Sequence, residues 1–415
     1  MQKTAGDASR NKRPRIPAVF LAVYRPGVKF GRFLSVLVFS GVAFGLYRGI
    51  QDNYLAEIVH ISAFERGIVE FFREIPGLLV IFILAALYRF SEGRIFKIGV
   101  CIMTAGIFGL LLSGTGKVIV VMNMVLFSFG EHIIMPVRST ISLDLAERNK
   151  GGASLGITTA ISNVGNIAGF VVVTLLFFVF SRLGFERTDL LRFKSVLVLS
   201  GLLMLGAVLT VLVMRESPVK TARRRFYFAK KFFKFYMLEV FYGARKQIFI
   251  TFAPYVLILH YGADTSIISL LLAVCAVFGF VLSPLMGRLI DKAGYKFVMV
   301  ADTLILVVVC LLYGFAHRIF PARIAFIVVC VNYVLDSIIS LASMASNVYV
   351  QDIASGPEEI TATLSTGVSV NHVISIIIAL MGGWLWKTAG IEALFSMSAV
   401  LGVINSIYAA TIKKS

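Results

Sequence analysis

Charged side chains lie inside several of the most apolar stretches of this 415-residue chain. The cations are Arg48, Arg73, Arg138, Arg245 and Lys246. The carboxylates include Asp52, Glu70, Glu74, Glu131, Glu239 and Asp336. A charge at the centre of a membrane helix costs about 2.5–3.5 kcal/mol. These groups must therefore face one another or a water-filled cavity, either as structural ion pairs or as groups that bind a ligand.

Helical spacing places several of these charges on shared helix faces. Arg48 and Asp52 are one turn apart (i,i+4), and Glu131 and Arg138 are two turns apart. A further polar line follows the helical repeat over Asn332, Asp336, Ser340, Ser343 and Asn347. Each of these helices therefore has one side that does not face lipid.

Depth separates the charges into two groups. Glu70, Arg73 and Glu74 share one face near the outer end of an apolar segment from Ile68 to Tyr88, where we expect a structural ion-pair cluster or gate. The charges and polar groups nearer the middle of their segments are the candidates for substrate binding: Arg48, Asp52, Glu131, Arg138, Asn163, Arg245, Lys246, Asn332, Asp336, Asn371 and His372.

The deep cations favour a substrate with an anionic group. Arginine presents a planar fork of donors that suits a carboxylate or a phosphate. The alternative is that cations and acids neutralise one another around a neutral or lipid-like substrate. Both interpretations remain open from the residues alone.

Three buried groups could carry a proton. Glu131 and Asp336 are the better candidates, because burial disfavours the charged form of a carboxylate. His372 is either a hydrogen-bonded filler or a proton-coupling group. His132 points about 100° away from Glu131 and is expected to pack.

The four cysteines, Cys101, Cys275, Cys310 and Cys330, lie inside apolar stretches, and no pair has the spacing of a metal site. The sequence therefore predicts no disulfide framework, no metal site and no cofactor.

About twelve apolar stretches carry these residues, from Phe33 to Ile412. A membrane core about 30 Å thick requires about 20 apolar residues per helical crossing. Hydrophobic residues make up 58% of the chain and charged residues 15%. Continuous apolar runs of helical length exclude a membrane β-barrel. The chain is predicted to be an all-α membrane protein with twelve transmembrane helices.

The net charge of +18 follows the membrane topology. Lysines and arginines concentrate in residues 1–32, in residues 215–234 and at the end of the chain, which predicts that both termini are cytoplasmic. Arg182, Arg187, Arg192 and Lys194 form an exception on the outer side. The basic and aromatic middle loop could bind nucleic acid or a regulatory partner, but contact with anionic lipid headgroups is favoured.

Two halves with related patterns indicate an internal repeat. Asp144 precedes Asn163 by 19 residues, and Asp352 precedes Asn371 by the same distance, so that both pairs differ by 208 positions. We expect a basic N-terminal segment (1–32), a first six-helix bundle (33–214), a basic loop (215–234) and a second six-helix bundle (235–412). Gly165 and Gly169 form a small-x-x-x-small pattern that predicts close helix packing.

One loop carries a recognisable motif, Gly287-x-x-x-Asp291-x-x-Gly294-x-Lys296. Here the chain resembles the major facilitator superfamily, whose signature between spans 8 and 9 has this form. The resemblance implies two pseudo-symmetric bundles around a cavity lined by spans 1, 4, 7 and 10. It also implies that these four residues form a cytoplasmic gating motif. Lys150-Gly151 is similar to a further short loop of that family.

The resemblance implies secondary active transport of a small solute by alternating access. The deep cations make an organic anion the preferred substrate, and the buried carboxylates and His372 make a proton a candidate coupling ion. The alternative is efflux or flipping of an amphiphilic or lipid-like substrate, such as a drug or lysolipid. No Gly-x-x-x-x-Gly-Lys-Ser/Thr loop supports ATP-driven transport, and no nucleophile–base or metal-ligand cluster supports an enzyme. We expect a monomer in the cell membrane that contacts anionic lipids and binds no nucleic acid.

Overall fold

The computed structural model describes residues 23–24, 28–87, 89–147, 150–214 and 227–412. Most of the predicted N-terminal segment, and residues 215–226 of the predicted middle loop, lie outside the described residues. Within the described part, the chain is almost entirely α-helical. A single isolated β-bridge joins Tyr24 to Ala146, where the chain before the first helix meets the end of the fourth.

Six helices make up the first half of the chain. They are α1 (Val28–Asn53), α2 (Ala63–Ala86), α3 (Glu92–Leu112), α4 (Lys117–Leu145), α5 (Gly151–Arg182) and α6 (Leu190–Leu212). A π-helical turn over Tyr54–Ile58 extends α1.

Six more helices follow. They are α7 (Phe233–Leu259), α8 (Thr265–Ala293), α9 (Tyr295–Ile319), α10 (Ala322–Ile339, continued through a 3-10 turn over Ser340–Ser343 as Met344–Ile353), α11 (357–389) and α12 (391–410). The last two form one continuous stretch, Pro357–Ala410, which Gly390 divides.

The helices exist because their residues are apolar over membrane-spanning lengths. Nine helical stretches of the described chain are long and apolar enough to cross a membrane, and one of these contains both α11 and α12. The more highly charged α2 and α7 complete the predicted twelve. At 1.5 Å rise per residue, each of the twelve is long enough to span most or all of the hydrocarbon core.

Two glycines in left-handed backbone conformations set the tightest connections. Gly294, with φ of 83°, separates α8 from α9, and Gly390, with φ of 86°, separates α11 from α12. A side chain is disfavoured in this region of conformational space, whereas glycine adopts it freely. Gly294, the third residue of the predicted gating motif, thus forms a tight turn between α8 and α9.

Small residues bring α1 and α5 into close contact, as the glycine pattern predicts. A Cβ atom on Gly165 would lie 3.0 Å from Cα of Gly41, and one on Gly169 would lie 2.5 Å from the backbone oxygen of Val42. On the facing helix, a Cβ on Gly45 would overlap the backbone oxygen of Asn166. The two helix backbones therefore pack directly against each other.

Two six-helix bundles result, and they meet mainly through α2 with α11 and through α5 with α8. We call the end that carries the α4–α5 and α8–α9 connections the terminal end, and the end that carries the α1–α2 and α7–α8 connections the opposite end. Hydrogen bonds join the bundles near the opposite end, from Asn53 Nδ2 to the backbone oxygen of Ala263 (3.2 Å) and from Ser269 Oγ to that of Phe170 (2.8 Å).

The bundles separate towards the terminal end. A Cβ on Gly152 or Gly156 of α5, or on Gly279 or Gly287 of α8, would meet no atom within 4 Å. The same two helices pack closely nearer the opposite end, where a Cβ on Gly49 of α1 would lie 2.8 Å from Ser269 Oγ. Close contacts between the bundles therefore lie nearer the opposite end, and these four glycines leave space beside α5 and α8 towards the terminal end.

Candidate substrate cavity and buried charge network

A cavity of about 260 Å³ lies in the first bundle, among α1, α3, α4 and α5. Its polar lining residues are Ser40, Glu131, Arg138, Thr159, Ser162, Asn163 and Asn166. The structure thus places three of the predicted site residues, Glu131, Arg138 and Asn163, on one cavity. These residues lie in the terminal half of α4 and α5, on the side towards which the bundles separate.

Arg138 and Glu131 are the charged groups of this cavity. Arg138 donates one hydrogen bond, from Nη1 to Ser162 Oγ at 3.1 Å. Within the described residues, neither Arg138 nor Glu131 has an oppositely charged partner at ion-pair distance. An arginine that is bonded to a single hydroxyl retains most of its five donors for a ligand.

Arg48 does not form the expected i,i+4 pair with Asp52. Its Nη1 is buried without a hydrogen-bond partner, one turn beyond Phe44 of the cavity wall. Asp52 instead pairs with Arg66 of α2, between Oδ1 and Nη2 at 3.1 Å. Spacing along one helix indicated a possible pair, but a partner on the neighbouring helix takes the carboxylate.

Arg66 is the centre of a buried ion cluster that the sequence did not reveal. Its side chain is fully buried (0% exposed), and its Nη1 donates to Glu70 Oε2 at 2.8 Å. Its guanidinium also lies 5.6 Å from the ring centre of Tyr255 in the second bundle. Arg66 therefore neutralises Asp52 and Glu70 together and contacts the second bundle.

The cluster continues along α2 and ends on the second bundle. Arg73 donates to both oxygens of Glu70, at 2.6 and 3.0 Å, and contacts Glu74 Oε1 at 3.3 Å. The other oxygen of Glu74, Oε2, lies 2.8 Å from His372 Nδ1 on α11. The structure therefore contains the expected ion-pair cluster of Glu70, Arg73 and Glu74 and extends it across the bundle interface through His372.

The second bundle encloses its own arginine. Arg245 Nη1 lies 3.2 Å from Asp302 of α9, and its Nη2 lies 3.6 Å from Asp336 and 2.8 Å from Ser340 Oγ. From the sequence, Arg245 and Asp336 are candidates for the same site as Arg138. In the structure they do not line the cavity that Arg138 lines. Two acids and a hydroxyl surround Arg245 within its own bundle, because Asp302, absent from the sequence-based list, completes the neutralisation.

The remaining candidates of the second bundle lie around Glu239 and along α10. Asn371 Nδ2 donates to Glu239 Oε2 at 3.4 Å, and Ser346 Oγ donates to Oε1 at 3.1 Å. Lys246 is close enough to Glu239 to interact with it electrostatically. Asn332 is buried and donates to the backbone oxygen of Val328 at 2.7 Å.

The gating-motif residues lie at the terminal end, where α8 connects to α9. Asp291 is exposed, and it has no hydrogen-bond or ion-pair partner among the described residues. Gly287 lies inside α8 and faces open space, so it makes no close helix approach in this arrangement. Gly294 forms the turn, and Lys296 is half-buried at the start of α9. In this arrangement, Asp291 therefore forms no hydrogen bond or ion pair between the bundles among the described residues.

The apolar, membrane-length helices of the described chain define a multi-pass membrane protein. The family model of the Major Facilitator Superfamily matches residues 235–414. Comparison with curated protein sequences gives no match.

Solved structures share the fold over nearly the whole chain. The nucleoside transporter NupG is 13% identical, with a TM-score of 0.72, 94% of this chain covered and 100% of that one. A POT family transporter in complex with 5-aminolevulinic acid is 12% identical, with a TM-score of 0.71, and 91% and 94% covered. A D-xylose-proton symporter is 14% identical, with a TM-score of 0.69, and 93% and 96% covered. The family match thus covers the second half of the chain, and the fold shared with these solved transporters covers nearly all of it.

Proposed function

We propose that the protein is a proton-coupled secondary transporter that moves a small organic anion by alternating access. The observation that carries the proposal is Arg138, which lines the cavity with a single hydroxyl as its hydrogen-bond partner. A half-buried guanidinium with free donors is suited to a carboxylate or phosphate group. Serine and asparagine side chains around it can bind the rest of a polar solute.

Alternating access is supported by the unequal contacts of the two bundles. Hydrogen bonds and the Arg66 cluster hold the opposite end closed, while α5 and α8 separate at the terminal end. In the other state of such a cycle, the bundles would rock about the midplane, and the contacts at the opposite end would break. Asp291 and the turn at Gly294 are placed where they could then latch the terminal end.

Proton coupling is supported by Glu131 and by Glu74, each near the middle of its helix; α2 begins at Ala63, so Glu74 lies deeper than the predicted segment from Ile68 indicated. Glu131 shares the cavity with Arg138 and has no ion-pair partner among the described residues. Glu74 bonds His372 across the bundle interface, so a change of protonation at this pair would alter a contact that joins the bundles. The D-xylose-proton symporter with the same fold provides a precedent for proton coupling.

We assign the terminal end to the cytoplasm because residues 1–32 and 215–234 are strongly basic. Two of the exceptional basic residues on the outer side have structural partners. Arg187 pairs with Glu57 and donates to the backbone oxygen of Ala263 at 2.9 Å. Arg192 is buried over the ring of Phe177 at 4.6 Å. The cell membrane is the proposed location.

The test begins with a ligand screen of the purified protein. Carboxylates, phosphate esters, sugars and amphiphiles are compared by the thermal shift they produce, and binding of the best ligand is then measured by calorimetry. Replacing Arg138 with Gln should raise the dissociation constant of an anionic ligand about 10–150-fold, since a charged hydrogen bond contributes about 1.5–3 kcal/mol.

Arg182→Gln is the matched control, because Arg182 lies at the exposed end of α5 against the ring of Phe178. Its binding should equal that of the parent protein. The proposal is wrong if amphiphiles or neutral sugars alone stabilise the protein, or if Arg138→Gln binds an anionic ligand as tightly as the parent does.

A further inference from the structure

Two histidines and a glutamate from three helices meet at the interface between the bundles. Glu74 of α2 and His132 of α4 belong to the first bundle, and His372 of α11 belongs to the second. Each offers one ligand atom, and these three atoms lie within 4.8 Å of one another. The imidazole rings are 5.2 Å apart between their centres, at an angle of 68°.

Hydrogen bonds on its far side fix the state of His132. Its Nδ1 lies 2.8 Å from the backbone oxygen of Ser128, an acceptor, so Nδ1 must carry the proton. Ser128 Oγ donates to the backbone oxygen of Arg73 at 2.6 Å, and it can therefore accept from the same Nδ1 at 3.2 Å. Nε2 of His132 is thus the nitrogen with a free lone pair. Metal-binding histidines are oriented in this way, by a carbonyl on the second nitrogen.

Glycine makes the space into which this lone pair points. A Cβ on Gly77 would lie 2.7 Å from His132 Nε2 and 2.8 Å from Cε1 of His372. Any larger residue at this position of α2 would push the two rings out of place. The third ligand is already close, because Glu74 Oε2 lies 2.8 Å from His372 Nδ1.

Charge around the cluster is compatible with a cation. Arg73 contacts the second oxygen of Glu74 at 3.3 Å, but both oxygens of Glu70 neutralise this arginine from the other side. Glu131 adjoins His132 in sequence and interacts with it electrostatically. A divalent ion at the three ligands would therefore meet one directly bound carboxylate and a second one nearby.

We propose that Glu74, His132 and His372 form a binding site for a divalent transition-metal ion of the Zn²⁺ type, which bridges the two bundles. Two imidazoles and one carboxylate are a donor set that suits Zn²⁺ and its neighbours and disfavours Mg²⁺ and Ca²⁺. Tetrahedral ligands at about 2.0–2.1 Å from the metal lie about 3.3 Å apart, so small side-chain movements complete the site. A bound ion would hold α2 and α4 to α11 near the middle of the interface between the bundles.

The test uses the purified full-length protein and Zn²⁺ or Co²⁺ alone. Co²⁺ gives visible absorption bands that are intense when the ion is four-coordinate, and Zn²⁺ should displace it and abolish them. His132→Ala and His372→Ala should each weaken Zn²⁺ binding by more than about tenfold. Loss of a group that only supports a metal ligand already costs about tenfold, and loss of the ligand itself should cost more. Gly77→Ala should also weaken binding, and Gly279→Ala should not, because a Cβ at Gly279 meets no atom within 4 Å.

The chain provides a matched histidine control. His317 lies 4.8 Å from His260 between ring centres and 3.2 Å from Glu392, but Arg318 contacts the same carboxylate. His317→Ala should retain parent affinity. The thermal unfolding midpoint of each variant, measured without metal, identifies variants that fail to fold. Where an alanine variant fails to fold, His132→Asn or His372→Gln is used in its place.

Amide hydrogen exchange tests the bridge itself. Zn²⁺ should slow exchange in peptides from α2 and α4 and also in peptides from α11, and His372→Ala should abolish the effect in both bundles. The proposal is overturned if Zn²⁺ binding is not saturable, if it depends on His317 and not on His132 and His372, or if exchange slows in one bundle only. None of these measurements requires transport, so they stand independently of the proposed function.

Discussion

Arg66 should contribute more to stability than any exposed charge, and removing it provides a quantitative test of the buried cluster. In Arg66→Met, Glu70 keeps the two bonds from Arg73, at 2.6 and 3.0 Å. Asp52 loses its partner at 3.1 Å, and its second oxygen is already buried without one. One buried carboxylate is thus left uncompensated, which costs about 3–5 kcal/mol.

Neutralising that carboxylate should recover part of the loss. In the double variant Asp52→Asn with Arg66→Met, the main remaining cost is the lost charged hydrogen bond to Glu70, about 1.5–3 kcal/mol. The double variant should therefore be more stable than Arg66→Met by about 1.5–2 kcal/mol, the difference between these ranges. Unfolding in mixed micelles measures this through the fluorescence of Trp384 and Trp386, both on α11.

An exposed ion pair between α4 and α2 serves as the control. Lys117 Nζ contacts Glu65 at 2.6 Å, but its side chain is 45% exposed. Lys117→Met should cost no more than about 1 kcal/mol, as exposed pairs do. The reasoning is refuted if Arg66→Met and Lys117→Met lower the free energy of unfolding equally, or if Asp52→Asn destabilises Arg66→Met further.

Three shorter predictions concern the gating motif, helix packing and topology. Asp291→Asn should impair transport and leave the thermal midpoint unchanged, because Asp291 is exposed and has no partner among the described residues in this arrangement; full transport activity in this variant would exclude a latch. Gly45→Ala should destabilise the fold by about 1–3 kcal/mol, since its Cβ would overlap the backbone oxygen of Asn166, whereas Gly279→Ala should not. Reporter fusions after Lys117 and after Arg224 should report opposite sides of the membrane, and the same side for both would contradict the topology.

Apolar length was sufficient to predict the helices, but it placed the start of α2 too late. The predicted segment begins at Ile68, and the helix begins at Ala63. Residues between them, including Glu65 and Arg66, are polar enough to be taken for a loop. Inside the helix, Arg66 is neutralised by Glu70 one turn away and by Asp52 on α1, and a partner on another helix leaves no mark on local hydropathy.

Helical spacing predicted which charges share a face but not which of them pair. On α10, the polar line from Asn332 to Asn347 assumes a regular helix. A 3-10 turn over Ser340–Ser343 changes the spacing, and Asn347 becomes exposed. Asp302 shows the same limit, because its pairing with Arg245 depends on how α9 packs against α7 and α10.

The internal repeat allows equivalent positions of the two bundles to be compared, and these positions differ in charge. The offset of 208 pairs Asn163 with Asn371 and Arg138 with Ser346. In the first bundle, these positions place an arginine and an amide on one cavity. In the second, the amide and the hydroxyl both donate to Glu239. One of these two positions therefore carries a cation in the first bundle, whereas in the second bundle both positions contact a carboxylate. The internal symmetry of the fold preserves where polar groups lie, but a single substitution changes the charge at such a position. The site is therefore defined by the contacts of its side chains and not by the repeat.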